Sequence, residues 1–304
     1  MATVAVTSSP LERALSVTEW HARSYKRTWR ATITTAFLNP IFFLLSVGVL
    51  LGKLIDDDQA ALGGLSYVEF VAPGLLAATA MQMGANDAMW PVMAGIKWLR
   101  TYHAVMATPV RVAELVLGTM GWAAIRVFSA AVIFTAVAAV GGAISSPLAV
   151  LAPFAALLCG LAFNAPISAF SASLEGGDDG WFPALNRFVL IPMFLFAGTF
   201  FPVSQLPDWL EPVAWATPLW HGVELCRMLT TGNVDALLAV VHVAYLSLFV
   251  VVGAVVAVRR HRRALLKCPT TRSPAGSRRG SRSGQTARCA SSTGTFARRA
   301  ATGS

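Results

Sequence analysis

Charge is scarce in this 304-residue chain: only 13% of its residues are Asp, Glu, Lys or Arg. Soluble domains run at about a quarter charged, so an ordinary water-exposed globular surface is excluded. Cysteine is scarcer still. Cys159, Cys226, Cys268 and Cys289 form no CxxC pair, and isolated cysteines in apolar stretches act as small buried hydrophobes. No G-x-x-x-x-G-K-[ST] occurs, so the chain has no P-loop, and H-E-x-x-H and G-x-S-x-G are missing as well. His21, His103, His221, His242 and His261 are scattered, and neither Ser129 nor Ser168 stands at a telling distance from His242. No catalytic residue and no metal site is expected. The first 32 residues also lack the apolar core of a cleavable signal peptide.

What is present is apolar: 55% of the residues are hydrophobic and the mean hydropathy is +0.60. The net charge of +9 divides unevenly. Residues 259–304 hold 12 Lys/Arg and no acid, whereas residues 1–258 hold 12 Lys/Arg against all 15 acids. The basicity belongs to the end of the chain, and the body gives no reason to expect a nucleic-acid partner.

A helix crosses the hydrocarbon with about 20 mostly apolar residues. Such runs fall at Ile33–Leu54, Tyr67–Met93, Val116–Val140, Leu148–Leu174, Phe188–Val203 and Ala236–Val258. The fifth is short and Pro192 interrupts it. With six spans and the N-terminus inside, 21 Lys/Arg fall on the cytoplasmic side, while Lys53 and Arg227 alone fall opposite. The excess of cations marks the cytoplasmic face, so both termini are expected there.

Before the first span, Ser9-Pro-Leu-Glu12 reads as an N-cap, a proline at the first helical position and a capping-box glutamate. Leu11, Leu15, Thr18, Ala22, Tyr25, Trp29 and Ile33 follow at helical spacing, with Arg13, Arg23, Lys26, Arg27 and Arg30 on another face. That predicts an amphipathic helix lying in the headgroup plane. The loop after span two mixes Lys97, Arg100 and Arg111 with Trp98, Leu99, Tyr102 and Val105, and Thr108-Pro109 breaks it. A short amphipathic helix, a stop and a new helix are predicted; its exposed aromatics either dock a protein or rest on headgroups. Between spans five and six, Pro202, Pro207, Pro212 and Pro218 forbid a continuous span, while Trp209, Trp215 and Trp220 mark an interface. Two short helices dipping into the outer leaflet fit both facts.

Charges at membrane depth are costly and often functional. Asp87 reads as a carboxylate at the end of span two, and Arg126, inside span three, as paired or facing a cavity. Glu224 and Arg227 stand three apart and can pair with each other.

The succession of a basic interfacial helix, six spans, a proline-broken loop and a proline-rich hairpin resembles the ABC-2 permeases, the membrane subunits of ATP-driven exporters. The detailed likeness rests on Phe70-Val-Ala-Pro-Gly-Leu-Leu76, on Ala107-Thr-Pro-Val110 with Glu114, and on Phe201-Pro-Val-Ser-Gln-Leu-Pro-Asp-Trp-Leu210. Pro218-Leu-Trp-His-Gly-Val-Glu-Leu-Cys-Arg227 completes it. Gly118-Thr-Met-Gly-Trp-Ala-Ala124 before Arg126 is similar to the branch of the nodulation lipo-oligosaccharide exporter permease, with the daunorubicin type a close cousin. The resemblance spans about residues 11–263.

It implies an all-α integral membrane protein with six transmembrane helices, an N-terminal interfacial helix and a re-entrant hairpin between spans five and six. Residues 1–32 would form the cytoplasmic N-terminus, 33–258 the transmembrane domain and 259–304 a basic, disordered tail. The implied function is that of an exporter permease, not an enzyme, in a bacterial plasma membrane. It would move a lipo-oligosaccharide, glycolipid or drug. A second copy or a paralogue and separate ATPase subunits would be its partners, with ATP and Mg bound only by the latter. Lys97, Trp98, Arg100, Tyr102, Pro109, Arg111 and Glu114 become candidates for coupling to the ATPase; Asp87, Arg126, Glu224 and Arg227 become candidates for the translocation path. The polar tail has no place in the family pattern: it is either a polybasic segment held at anionic lipid or an extension without function. An ion- or proton-coupled carrier and a non-transporting membrane anchor are the alternatives.

Overall fold

The computed structural model describes residues 9–26, 42, 46, 65–174 and 180–266, and every regular element among them is a helix. The predicted first span, Ile33–Leu54, lies outside the described residues except at Phe42 and Ser46, and the chain beyond Leu266 lies outside them altogether. The described residues up to Leu265 belong to one compact unit.

Helix α1 (Pro10–Tyr25) starts as its sequence predicts. Ser9 N–H donates to Glu12 Oε2 at 2.8 Å and Glu12 N–H donates to Ser9 Oγ at 3.2 Å. Its buried face differs from the expected stripe. Leu11 and Leu15 are exposed, while Val17 is buried and Ala14, Thr18 and His21 are partly covered. The reason lies on α4 (Val112–Val140). A Cβ at Gly118 would meet Ala14 O at 2.5 Å and Val17 Cβ at 2.6 Å, so glycine lets α1 lie against α4 along that line. Thr18 Oγ1 donates to Gly118 O at 2.9 Å. Leu11, Leu15 and Trp20 face outward, while Ala22 and Tyr25 are partly covered, Tyr25 by the Trp122 ring.

The centre is α2 (Tyr67–Met93), capped by a second Ser/Glu box at Ser66 and Glu69. It is buried nearly all round, from Val71 to Ala78 without a break, as expected of a helix apolar on every side. Small residues set its closest crossing. A Cβ at Gly84 would lie 2.2 Å from Gly160 O, and one at Gly160 would lie 2.8 Å from Ala80 O. Gly160 belongs to α5 (Ala152–Ser173), which follows a 3-10 turn over Pro147–Leu151. Asn164 Nδ2 donates to Gly84 O at 2.9 Å, tying the crossing with a hydrogen bond. In lipid, helices gain little from hydrophobic exclusion, so such close approach supplies the packing. Helix α4 adds Val127, Ala131, Phe134 and Ala138 to this core.

Val112–Val140, Pro147–Ser173 and Ala236–Leu266 are long and apolar enough to cross a membrane. At the helical rise α2, with 27 residues, is about 40 Å long, but it carries Glu69 and Asp87. The fifth apolar segment moves from its predicted bounds. It runs Trp181–Phe196 as α6 (Trp181–Leu185), a π turn over Asn186–Leu190 and α7 (Ile191–Phe196). Pro192 opens α7 instead of interrupting a span, and Gly198, at φ +78°, lies just past its end.

The proline-rich stretch folds as a 3-10 turn at Val203–Gln205, then α8 (Glu211–Trp215) and α9 (Pro218–Thr231). Pro212 and Pro218 each stand in a first helical turn, where a missing N–H costs nothing. Helix α9 packs into the core: a Cβ at Gly222 would meet Cys159 Sγ at 2.5 Å. Helix α10 (Ala236–Leu266) runs past its predicted end at Val258. Its inward face, Gly253, Ala257, His261 and Leu265, recurs every fourth residue through the arginines, so Arg259–Arg263 are helical.

Candidate functional site

Two features stand apart from ordinary packing: an elbow at the end of α2, and two ion pairs between helices.

At the elbow the π turn Ala94–Trp98 continues α2, with Leu99 N–H donating to Ala94 O at 2.8 Å. The chain then reverses at Arg100, whose φ of 52° puts a non-glycine residue in the left-handed region, at a cost of about 1–2 kcal/mol. Helix α3 (Thr101–Val105) follows. The reversal folds Tyr102 back beneath Gly95, where a Cβ would meet the ring at 2.5 Å. Tyr102 is therefore corrected from an exposed docking aromatic to a buried peg. Burial pushes its phenol up to about 12. It joins Val17 of α1, Ile96, Leu115 of α4, Ala172 of α5 and Leu265 of α10 in one apolar cluster. Trp98 and Leu99 do face outward, 48% and 72% exposed. Arg100, Pro109 and Arg111 are exposed, and Lys97 is partly so. His103 is held below its ordinary pKa by partial burial and by Arg100 and Lys97.

Glu114 is buried, and it faces inward to α1. Arg13 Nε donates to its Oε2 at 2.8 Å and Arg13 Nη2 donates to its Oε1 at 2.7 Å. Arg111 N–H donates to Oε2 at 2.8 Å, so the same carboxylate also caps α4. Arg13, read from sequence as a headgroup cation, is a clamp between two helices. A pairing across 101 positions leaves no local signal. On α1 burial also pushes His21 down to about 4.

Asp87 is likewise not a lone carboxylate at a helix end. It pairs with Arg126 Nη1, joining α2 to α4, and both side chains are largely buried. Asp87 Oδ2 and Arg126 Nε have no hydrogen-bond partner, and the guanidinium carbon lies 5.5 Å from the Tyr25 ring centroid. Glu224 and Arg227 pair as their spacing predicts. Arg227 does more than that: Nη2 donates to Gly198 O at 2.7 Å, and its guanidinium lies 4.0 Å from the Phe70 ring centroid. It thereby ties α9 to the turn after α7 and to the start of α2.

Sequence reasoning missed one joint altogether. His221 and His242 approach with Nδ1 atoms 2.7 Å apart, both buried, and Tyr245 stacks on His221 at 3.9 Å. One ring donates and the other accepts, which fixes α9 against α10. Among the described residues no group of three or more His, Cys, Asp or Glu stands close enough to hold a metal ion.

The sequence matches the ABC-2 type transporter family over residues 13–230. Among curated proteins it is similar to nodulation protein J of Bradyrhizobium diazoefficiens, 31% identical over 245 residues, covering 79% of this chain and 90% of that one. Nodulation protein J of Sinorhizobium fredii is 30% identical over 204 residues, 67% of this chain and 76% of the relative. That of Rhizobium leguminosarum bv. trifolii is 29% identical over 247 residues, 80% and 90% of the two chains.

Proposed function

Because the chain belongs to the ABC-2 type transporter family, and is thus a multi-pass membrane permease of an ABC exporter, we propose that it is the gate of that exporter and takes its motion from a separate ATPase. In this reading ATP and Mg are bound by the partner alone, and a second copy or a paralogue completes the pore. The chain crosses a bacterial plasma membrane six times, and the excess of Lys/Arg on one side of the spans holds both termini in the cytoplasm. The cargo is amphiphilic: a lipo-oligosaccharide, a glycolipid or a drug.

One observation carries the coupling. The elbow exposes Trp98 and Leu99, while its next aromatic, Tyr102, is anchored in a cluster drawn from α1, α2, α4, α5 and α10. A push on the exposed pair reaches five helices through one buried ring. Packed cores respond by switching between discrete arrangements rather than deforming smoothly, so this contact suits a two-state gate. Lys97, Arg100, Pro109 and Arg111 rim the same surface, and Glu114 holds α1 to it through Arg13. Asp87 with Arg126 is a latch between α2 and α4, and Arg227, paired with Glu224 on its own helix, ties α9 to Gly198 and Phe70; these elements move relative to one another during export. A proton-coupled carrier would need an available carboxylate at depth, whereas Asp87 and Glu224 each face an arginine.

The test separates the two sides of the elbow. Trp98→Glu with Leu99→Asp leaves insertion and thermal stability unchanged, because both side chains are exposed. It abolishes export and weakens co-purification of the partner ATPase. Tyr102→Asp, in contrast, unfolds the elbow. Export at the wild-type rate by the W98E/L99D protein would overturn the coupling role.

A further inference from the structure

The π turn of the fifth apolar segment opens a cavity of about 440 Å³, lined by Pro183, Ala184, Asn186, Arg187, Phe188 and Ile191. That is the size range of small-molecule sites, about 300–1,000 Å³. Its polar content is specific. Arg187 is exposed and has no ion-pair partner among the described residues. Asn186 keeps a buried Oδ1 with no hydrogen-bond partner, and a buried acceptor without a donor is uncommon enough to ask what fills it. A π turn, rare and frequent at functional sites, sets these two side chains at the cavity.

The apolar content is specific too. Phe188 is 75% exposed, and Ile191 and Val189 are also exposed. Trp181 is exposed at the start of the same segment, and tryptophan settles at the boundary between headgroups and hydrocarbon. Arg187 lies six positions further on, about 9 Å along the axis. The cavity therefore sits near headgroup level, with greasy side chains leading toward the acyl region.

We infer that this cavity binds the head of an anionic glycerophospholipid: the phosphate on Arg187, a head-group hydroxyl donating to Asn186 Oδ1, and the acyl chains along Phe188 and Ile191. Phosphatidylglycerol meets all three demands. Phosphatidylcholine carries the phosphate but cancels its charge and offers no donor. The inference does not depend on how the permease is driven, and its test involves no transport.

The experiment is native mass spectrometry of the full-length protein released from mixed micelles containing dioleoyl phosphatidylglycerol, dioleoyl phosphatidylcholine or inorganic phosphate. One phosphatidylglycerol per chain is expected to stay bound at collision energies that strip phosphatidylcholine. Arg187→Gln lowers its apparent affinity by about tenfold or more, the worth of one charge-assisted hydrogen bond. Asn186→Ala lowers it less, Arg187→Lys retains most of it, and Arg259→Gln on α10 leaves it unchanged. Tryptophan-fluorescence melting of each variant checks that the fold survives. Equal retention of phosphatidylcholine, or undiminished phosphatidylglycerol on R187Q, would overturn the site. Displacement of the lipid by equimolar inorganic phosphate would also overturn it, making this a free-anion site.

Discussion

Arg126→Leu removes the guanidinium from a carboxylate whose side chain is only 10% exposed. Asp87 is then a buried anion without a counter-charge. Breaking such a pair from one side costs about 3–5 kcal/mol. Because the Arg126 side chain is itself 21% exposed, water reaches the site, and the loss falls near the lower limit, about 3 kcal/mol. The pair is poorly satisfied beyond its own contact, since Asp87 Oδ2 and Arg126 Nε have no further partner. Replacing both by leucine therefore costs less than Arg126→Leu alone, about 1 kcal/mol. The double-mutant cycle should show a coupling of at least about 2 kcal/mol. Unfolding of the purified protein by SDS in mixed micelles, followed by tryptophan fluorescence, measures each corner. If the two single losses merely add, Asp87 and Arg126 do not act as a pair and the latch is refuted. If stability returns in the double variant while export does not, the charges serve the path as well as the fold.

Gly84→Ala should lose about 1–3 kcal/mol, the usual cost of overpacking, because its new methyl would stand 2.2 Å from Gly160 O; a thermal melt equal to wild type would show that α2 and α5 cross elsewhere. Docking of α1 should weaken in acid. The folded His21 titrates at about 4, below the ordinary value of about 6.5, so its neutral form is favoured and the stabilisation is complete above pH 6.5 and lost as pH falls toward 4. Hydrogen exchange of the α1 amides, corrected for intrinsic rates, should quicken between pH 7 and 5, and His21→Gln should flatten that dependence.

Sequence alone determined the chemical class. Scarce charge and long apolar runs can be satisfied only in lipid, where the backbone must bond to itself, so helices over Tyr67–Met93, Val116–Val140, Leu148–Leu174 and Ala236–Val258 follow from composition, give or take a turn or two at their ends. Capping at Ser9 and the pairing of Glu224 with Arg227 were legible for the same reason: both interactions are local, three residues apart. The fifth segment was only partly legible, since a proline reads alike as an interruption or as the first residue of a new turn. Tertiary structure decided everything that joins distant positions. Arg13 meets Glu114, Asp87 meets Arg126, and His221 meets His242, although no periodicity links the members of any pair. It also decided which side of a residue matters. Leu15 and Tyr102 have similar sequence credentials as surface anchors, yet one is exposed and the other buried, because glycines at 118 and 95 admit Val17 and the Tyr102 ring. A hydrophobic pattern fixes that a face is apolar; only the shape of the neighbouring helix chooses which apolar side chain it receives.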